Sequence, residues 1–201
     1  KITEEDKVKT DQYRQQSARK KLRKSFKNLE EYYRSLDICL SINKCDSFSV
    51  PRVSQLTMKT NQFNLTTKRY TENDIINFQK NENAYIYILS VKDNIGDYGI
   101  VGVFIGFAEN EEIKIDTFLM SCRIIGRHIE KAFMSYLVDI FRSHSFRKIN
   151  GVYIESKKNS LVKDFYEDLG FSKEGSVWTW DISNKLLIPN WLTIQNGNNT
   201  L

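Results

Sequence analysis

Proline and histidine are nearly missing from these 201 residues, with two of each, and cysteine occurs only three times. Cys39, Cys45 and Cys122 are an odd number without a C-x-x-C pair or a nearby histidine cluster, which excludes a disulfide framework and a zinc site, so no metal is expected. A reducing cytoplasm is the expected setting. No apolar run approaches the ~20 residues of a membrane-spanning helix, the longest being Tyr85 to Val91. The N-terminus is charged with no apolar stretch behind it, so no signal peptide is expected. Internal repeats are also missing.

What is present fits one α/β domain with an appendage: 40% of residues are apolar, an ordinary share for a globular chain. The net charge of +5 is uneven, because nine of the basic residues crowd the first segment between Lys7 and Lys27. Such a run either meets an acidic partner or is a solvated helix face. Of the acidic partners, a protein is expected rather than nucleic acid or a membrane. From Thr3 to Leu36 there is neither proline nor glycine, and Thr3-Glu-Glu-Asp6 reads as a helix start. Two helices are predicted, divided near Ser25 to Asn28. Their apolar positions are sparse, so residues 1–37 read as a helical extension linking to an upstream domain, with the main domain over 38–194 and a tail over 195–201. The opening on Lys1 rather than Met fits a piece of a longer polypeptide.

Ile38 to Ile42 alternates as a strand, and Ser49 with Pro51 opens a helix that runs to about Lys59. Thr71 caps a short helix through Gln79. Between them lies a polar stretch whose Asn61, Gln62, Asn64, Thr66 and Thr67 sit among apolar anchors, the composition of a substrate loop or of a self-bonded one. Ala84–Val91 and Tyr98–Ala108 form a predicted hairpin. A further antiparallel strand from Ile113 follows, passes Cys122 and turns through Gly126 into a helix over Ile129–Phe141. Ile149–Glu155 reads as a strand and Asn159–Leu169 as a helix stopped by Gly170. Val177–Asp181 closes a last hairpin, and the tail from about Gln195 is expected to fray.

The strand, turn, helix, strand, helix order carries Arg123-x-x-Gly126-x-His128 at the first turn and Asn159, Tyr166 and Gly170-Phe171 on the second helix. Together these resemble the GNAT family of N-acetyltransferases over roughly Ile38 to Asp181. That resemblance implies a mixed, mainly antiparallel twisted sheet flanked by helices. It also implies a turn, here Arg123, Gly126, Arg127 and His128, whose amides bind the pyrophosphate of coenzyme A, and a splayed strand before it that hydrogen-bonds the pantetheine arm. Asn159 would join the cofactor site, and Tyr166 would stand near the leaving thiolate as a proton donor. His128 departs from the family, which has glycine or alanine there.

A second resemblance extends over nearly the whole chain. Thr3-Glu-Glu-Asp6, Ser17-Ala-Arg-Lys, Ser25-Phe-Lys-Asn-Leu-Glu, Asn61-Gln-Phe-Asn-Leu-Thr-Thr67, Gly96-Asp-Tyr-Gly99, Ile115-Asp-Thr-Phe118 and Ser121-Cys-Arg123 look like the C-terminal half of FkbH-like proteins. Those join a HAD-type phosphatase-like domain to a GNAT-like one, and are associated with loading glyceryl units from 1,3-bisphosphoglycerate onto an acyl carrier protein for polyketide synthesis. The resemblance implies an acyltransferase whose partners are an upstream HAD-type domain and an acyl carrier protein, with the carrier's phosphopantetheine arm, or coenzyme A, as cofactor. Cys122 would then carry the acyl group, with Arg123 and the following helix dipole favouring its thiolate. Asp116 would serve as a base or bind glyceryl hydroxyls, and Asn61, Gln62, Asn64, Thr66 and Thr67 would hold the acyl group. A coenzyme A-dependent N-acetyltransferase and a non-catalytic carrier-docking module remain the rival expectations. On the residues alone, a strand-end cysteine is usually a core residue.

Overall fold

The computed structural model describes residues 4–196. Its helices are α1 (Glu4–Lys24), α2 (Leu29–Ser35), α3 (Val50–Lys59), α4 (Glu72–Gln79), α5 (Ile129–Ser143) and α6 (Phe165–Leu169). The strands are β1 (Ile38–Lys44), β2 (Phe63–Asn64), β3 (Ala84–Asp93), β4 (Gly96–Glu109), β5 (Glu112–Met120), β6 (Lys148–Val152), β7 (Ser172–Glu174), β8 (Val177–Asp181) and β9 (Leu192–Asn196). They form one sheet in the order β7-β8-β6-β5-β4-β3-β1-β9, with β2 attached to β5. Among the described residues only the β5–β6 and β1–β9 pairs are parallel. The expected mixed, mainly antiparallel sheet flanked by helices is what forms.

Strand alternation builds two cores, because successive side chains leave a strand on opposite faces. From β3, Tyr87, Leu89 and Val91 pack on one face with Phe133, Leu137 and Phe141 of α5, joined by Phe104 and Phe118. Ile86 and Ile88, with Val103, Ile105 and Leu119, point the other way onto Val53 and Leu56 of α3 and Ile75 of α4. The helix periodicity that put Phe133, Leu137 and Phe141 in register is therefore what covers the sheet's centre.

Local chemistry sets the helix ends. Thr71 and Asp74 form a reciprocal capping box at α4, and Asn28 Oδ1 accepts from the Glu30 N–H (2.7 Å) to start α2. Ser49 stands before α3 as expected, but its hydroxyl donates to the Asp46 carboxylate (2.6 Å) and leaves the helix N–H groups alone. The helix predicted over Asn159–Leu169 is interrupted: a single 3₁₀ turn at Ser160–Val162 precedes the five residues of α6, because the Asn159 side chain faces inward instead of capping. Gly170, at φ +87°, ends α6 in the left-handed conformation that suits glycine. The strand expected to reach Glu155 stops at Val152.

The helical extension packs on the domain. Tyr32, Tyr33 and Leu36 of the α2 region are buried in the α5-side core. Arg19 of α1 makes a two-pronged pair with Asp93 at 2.8 and 2.7 Å, both side chains being almost fully buried. Asp93 also accepts from the Tyr98 hydroxyl (3.1 Å) and from the Ile95 and Gly96 N–H groups. At the other end, Gln195 and Asn196 do not fray but close β9 against β1; the rest of the expected tail, 197–201, lies outside the described residues.

Candidate functional site

Where β5 ends, the Ser121 N–H donates to the Val101 carbonyl (2.7 Å) and the chain leaves the sheet. Cys122–Ile124 then makes one 3₁₀ turn, started by the Ser121 side chain. Ile124 is fully buried and pins that turn, so the neighbouring Cys122 is turned out to solvent. The thiol is therefore not the core residue that a strand-end cysteine usually is.

Cys122 opens into a cleft of about 1220 Å³. Arg52 and Lys59 from α3, Arg123 beside the cysteine, and Lys157 and Lys158 from the segment after β6 line it, and among the described residues no carboxylate does. Among the described residues none of these five cations has an acidic partner within ion-pair distance. Arg52 donates to the Ile100 carbonyl (3.1 Å) and Arg123 to the Tyr98 carbonyl (3.2 Å), which fixes both guanidinium groups at the wall. Burial is the main influence lowering both arginine pKa values; neighbouring positive charge adds to it, Arg123 acting on Arg52 and Arg19 on Arg123. Clustered cations without counter-charges make an anion site of the kind that phosphate groups fill.

Of the residues singled out in the sequence, the cleft brings together Cys122, Arg123, Asn61 and Gln62. Asp116 lies elsewhere along β5, held by Lys68 (2.5 Å), the Tyr70 hydroxyl (2.7 Å) and Thr117. Tyr166 is 1% exposed, its hydroxyl has no partner, and its ring lies against Trp178 with the hydroxyl over Gly151. Burial drives its pKa far above the usual phenol range. Gly126 and His128 border a separate cavity of about 220 Å³ with Glu130. Arg127 faces a groove of about 720 Å³ under α1, where it donates to the Tyr98 hydroxyl (2.6 Å). The turn's carbonyls are tied back, Gly126 by the Tyr33 hydroxyl (2.5 Å) and Arg127 by the Trp191 indole (3.2 Å). His128 precedes α5 in the left-handed conformation and supplies no side-chain cap.

Asn64, Thr66, Thr67 and Asn159 form a different structure. β5 pairs with β4 along its length, and its opposite edge meets β6 only at Glu112–Lys114. Beyond that the two parallel strands part, and β2 lies in the gap, with Phe63 opposite Met120 and Asn64 opposite Leu119. Leu65 spans it: its N–H donates to the Phe118 carbonyl (3.2 Å), and its carbonyl accepts from the Ile154 N–H (2.9 Å). Asn159 Nδ2 donates to the Asn64 and Ile154 carbonyls, both at 2.9 Å, and Asn64 Oδ1 accepts from the Thr67 N–H (2.9 Å). The Thr66 hydroxyl reaches the Asp116 carbonyl (2.7 Å). These four residues bond to their own chain, and Asn64 and Asn159 are fully buried.

Sequence reasoning passed over Arg52, Lys59, Lys157 and Lys158. A signal existed on α3, where Arg52, Gln55 and Lys59 recur at helical spacing beside the apolar face of Val53 and Leu56. Nothing local announces that Lys157 and Lys158 reach the same cleft.

No protein-family model matches the sequence, and no curated protein does. Solved structures match over most of the chain. The ribosomal-protein-S18-alanine N-acetyltransferase of Escherichia coli superposes with a TM-score of 0.55 at 12% identity, covering 81% of this chain and 99% of its own. A variant of the spermidine N-acetyltransferase SpeG of Vibrio cholerae gives 0.54 at 13%, over 72% and 94%. A protein of Desulfovibrio desulfuricans assigned to the GNAT family gives 0.54 at 10%, over 71% and 99%. At such identities the likeness establishes the fold: this chain has the architecture of the GNAT N-acetyltransferases. Among the described residues no helix is long and apolar enough to cross a membrane, and no three His, Cys, Asp or Glu side chains converge as a metal site.

Proposed function

We propose that this chain is a GNAT-fold acyltransferase module in which Cys122 takes a small acyl group from an acyl phosphate and passes it to the phosphopantetheine thiol of an acyl carrier protein. The observation that carries this reading is the exposed thiol of Cys122 within a cleft lined by five cations that, among the described residues, have no acidic partner and no carboxylate beside them. Both reactants are phosphate-bearing, the donor through its acyl phosphate and the acceptor arm through its phosphodiester. Following the FkbH-like resemblance, the acyl group is glyceryl derived from 1,3-bisphosphoglycerate, an upstream HAD-type domain removes the remaining phosphate, and the setting is cytoplasmic.

The Cys122 thiolate attacks the acyl carbon, the C–S bond forms, and the C–O bond to phosphate breaks, releasing inorganic phosphate with both electrons of that bond. Arg123 and Arg52 stabilise the charge that gathers on the leaving phosphate. The carrier's thiol then attacks the acyl-cysteine, the acyl C–S bond to Cys122 breaks, and the carrier's proton passes to solvent as Cys122 returns to its thiolate. Asn61 and Gln62, on the cleft wall, offer amides to the acyl hydroxyls. The basic groove under α1 shares Gln12, Tyr98 and Arg123 with this cleft, which gives an acidic carrier protein a path to the thiol.

Intact-mass measurement after mixing with 1,3-bisphosphoglycerate tests the reading. A covalent adduct of one acyl group is expected on the wild type and none on Cys122→Ala, with carrier protein discharging it. Unchanged carrier acylation by Cys122→Ala removes the covalent role. The rival N-acetyltransferase reading rests on the fold, and acetylation of an amine from acetyl-coenzyme A under the same assay would favour it.

A further inference from the structure

We infer that Phe63–Thr66 is a built-in strand filling the slot between β5 and β6, so that no pantetheine arm hydrogen-bonds along β5 in this chain. In the fold's usual use, the splay of these strands leaves the outer edge of β5 for the cofactor. Here that edge is taken: Met120 and Leu119 pair with Phe63 and Asn64, and the Phe118 carbonyl accepts from Leu65. The far wall is taken as well, since the Ile154 N–H donates to the Leu65 carbonyl. One extended segment thus satisfies backbone groups on both sides of the gap, leaving no donor or acceptor row for an amide-bearing arm.

The segment is not a lid resting on the slot. Leu65 is fully buried and Phe63 is 6% exposed, its ring centroid 5.8 Å from that of Phe165 and 6.2 Å from that of Phe118. Asn159 staples Asn64 to Ile154, while its Oδ1 accepts from the Ser156 N–H (2.8 Å) and the Tyr153 hydroxyl (3.1 Å). Withdrawal would expose two large apolar side chains and break the bond from the buried Asn159 amide to the Asn64 carbonyl. Phe63 also lies on both the Cys122 cleft and the small cavity at Gly126 and His128. It stands as a partition, so a groove that would otherwise run from the α5 turn to the end of β5 is cut in two. Ligand recognition is thereby moved to the Cys122 side. The inference stands on backbone geometry and does not depend on acyl transfer through Cys122.

Hydrogen–deuterium exchange of the whole chain, with and without millimolar acetyl-coenzyme A, tests it. Peptides covering 61–67 and 115–121 are expected to be strongly protected and to keep the same rates when the cofactor is added, whether or not it binds elsewhere. A change in either peptide on addition overturns the inference. In Asn159→Ala, exchange over 61–67 should rise about tenfold or more while the α5 peptide is unchanged. Equal rates over 61–67 in variant and wild type would show that the segment is not the stapled strand described.

Discussion

At the residue scale, burial separates roles that residue type alone leaves open. Tyr166 and Cys122 are both reactive residue types at expected positions, yet one is sealed under Gly151 and the other faces solvent. An orphaned buried hydroxyl destabilises, so Tyr166→Phe should raise stability by about 1 kcal/mol in chemical denaturation and leave turnover unchanged. Under the proposed acyl transfer, Arg52→Gln and Arg123→Gln should raise KM for the acyl phosphate severalfold, with a weaker salt dependence of kcat/KM. Glu130 gives a pH test. Burial raises its pKa above the ordinary carboxylate value despite the backbone hydrogen bond and His128 nearby. The folded state therefore prefers neutral Glu130; its contribution is fullest below an ordinary glutamate pKa of about 4.3 and is lost as pH rises through the raised value. Thermal melts of Glu130→Gln should exceed wild type at neutral pH and converge with it under acid conditions.

At the scale of elements, α1 is tied to the sheet by one buried ion pair, Arg19–Asp93. Burial alone would raise the Asp93 pKa, but the Arg19 hydrogen bonds and charge, with the Ile95 and Gly96 amides, outweigh it and hold the carboxyl below its usual range. Removing one partner of such a pair costs about 3 kcal/mol or more, so Asp93→Asn should lower stability by that order in urea unfolding. Because the folded pKa is depressed, this contribution is present above about pH 4 and disappears as pH falls through the folded value, and the variant should lack that limb of the acid profile. Most elements were legible because their signals are local: the Thr71 capping box, the Asp93–Gly96 and Glu109–Glu112 hairpin turns, the apolar stripe of α5 and Gly170. β2 and β9 were not. A strand of two residues has no periodicity, and β9 exists only through its register with β1, some 150 residues earlier in the chain. The same limit governed the site: Cys122, Arg123, Asn61 and Gln62 could be named, while their neighbours Lys157 and Lys158 are set by the path of the chain after β6.

For the molecule as a whole, the sheet divides labour between its faces. The α5 face holds most of the aromatic core, with the Phe118 ring 5.2 Å from Phe133 and 5.0 Å from Phe165. Phe133→Ala should cost about 3–5 kcal/mol and unfold the chain as one unit, measured by coincident near- and far-ultraviolet circular dichroism transitions. The α3 face carries a smaller core and, at its rim, the basic cleft, so changes at Arg52 or Lys59 should weaken the proposed anion binding with little effect on folding.

The indole that ties back the Arg127 carbonyl also gives this protein an optical voice. Trp191 lies 6.0 Å from the His128 ring and 5.6 Å from Tyr33, whereas Trp178 and Trp180 pack at the opposite end of the sheet. With those two replaced by phenylalanine, the emission of Trp191 would belong to the turn before α5 alone. A ligand arriving at that turn and one entering beside Cys122 would then be told apart by colour.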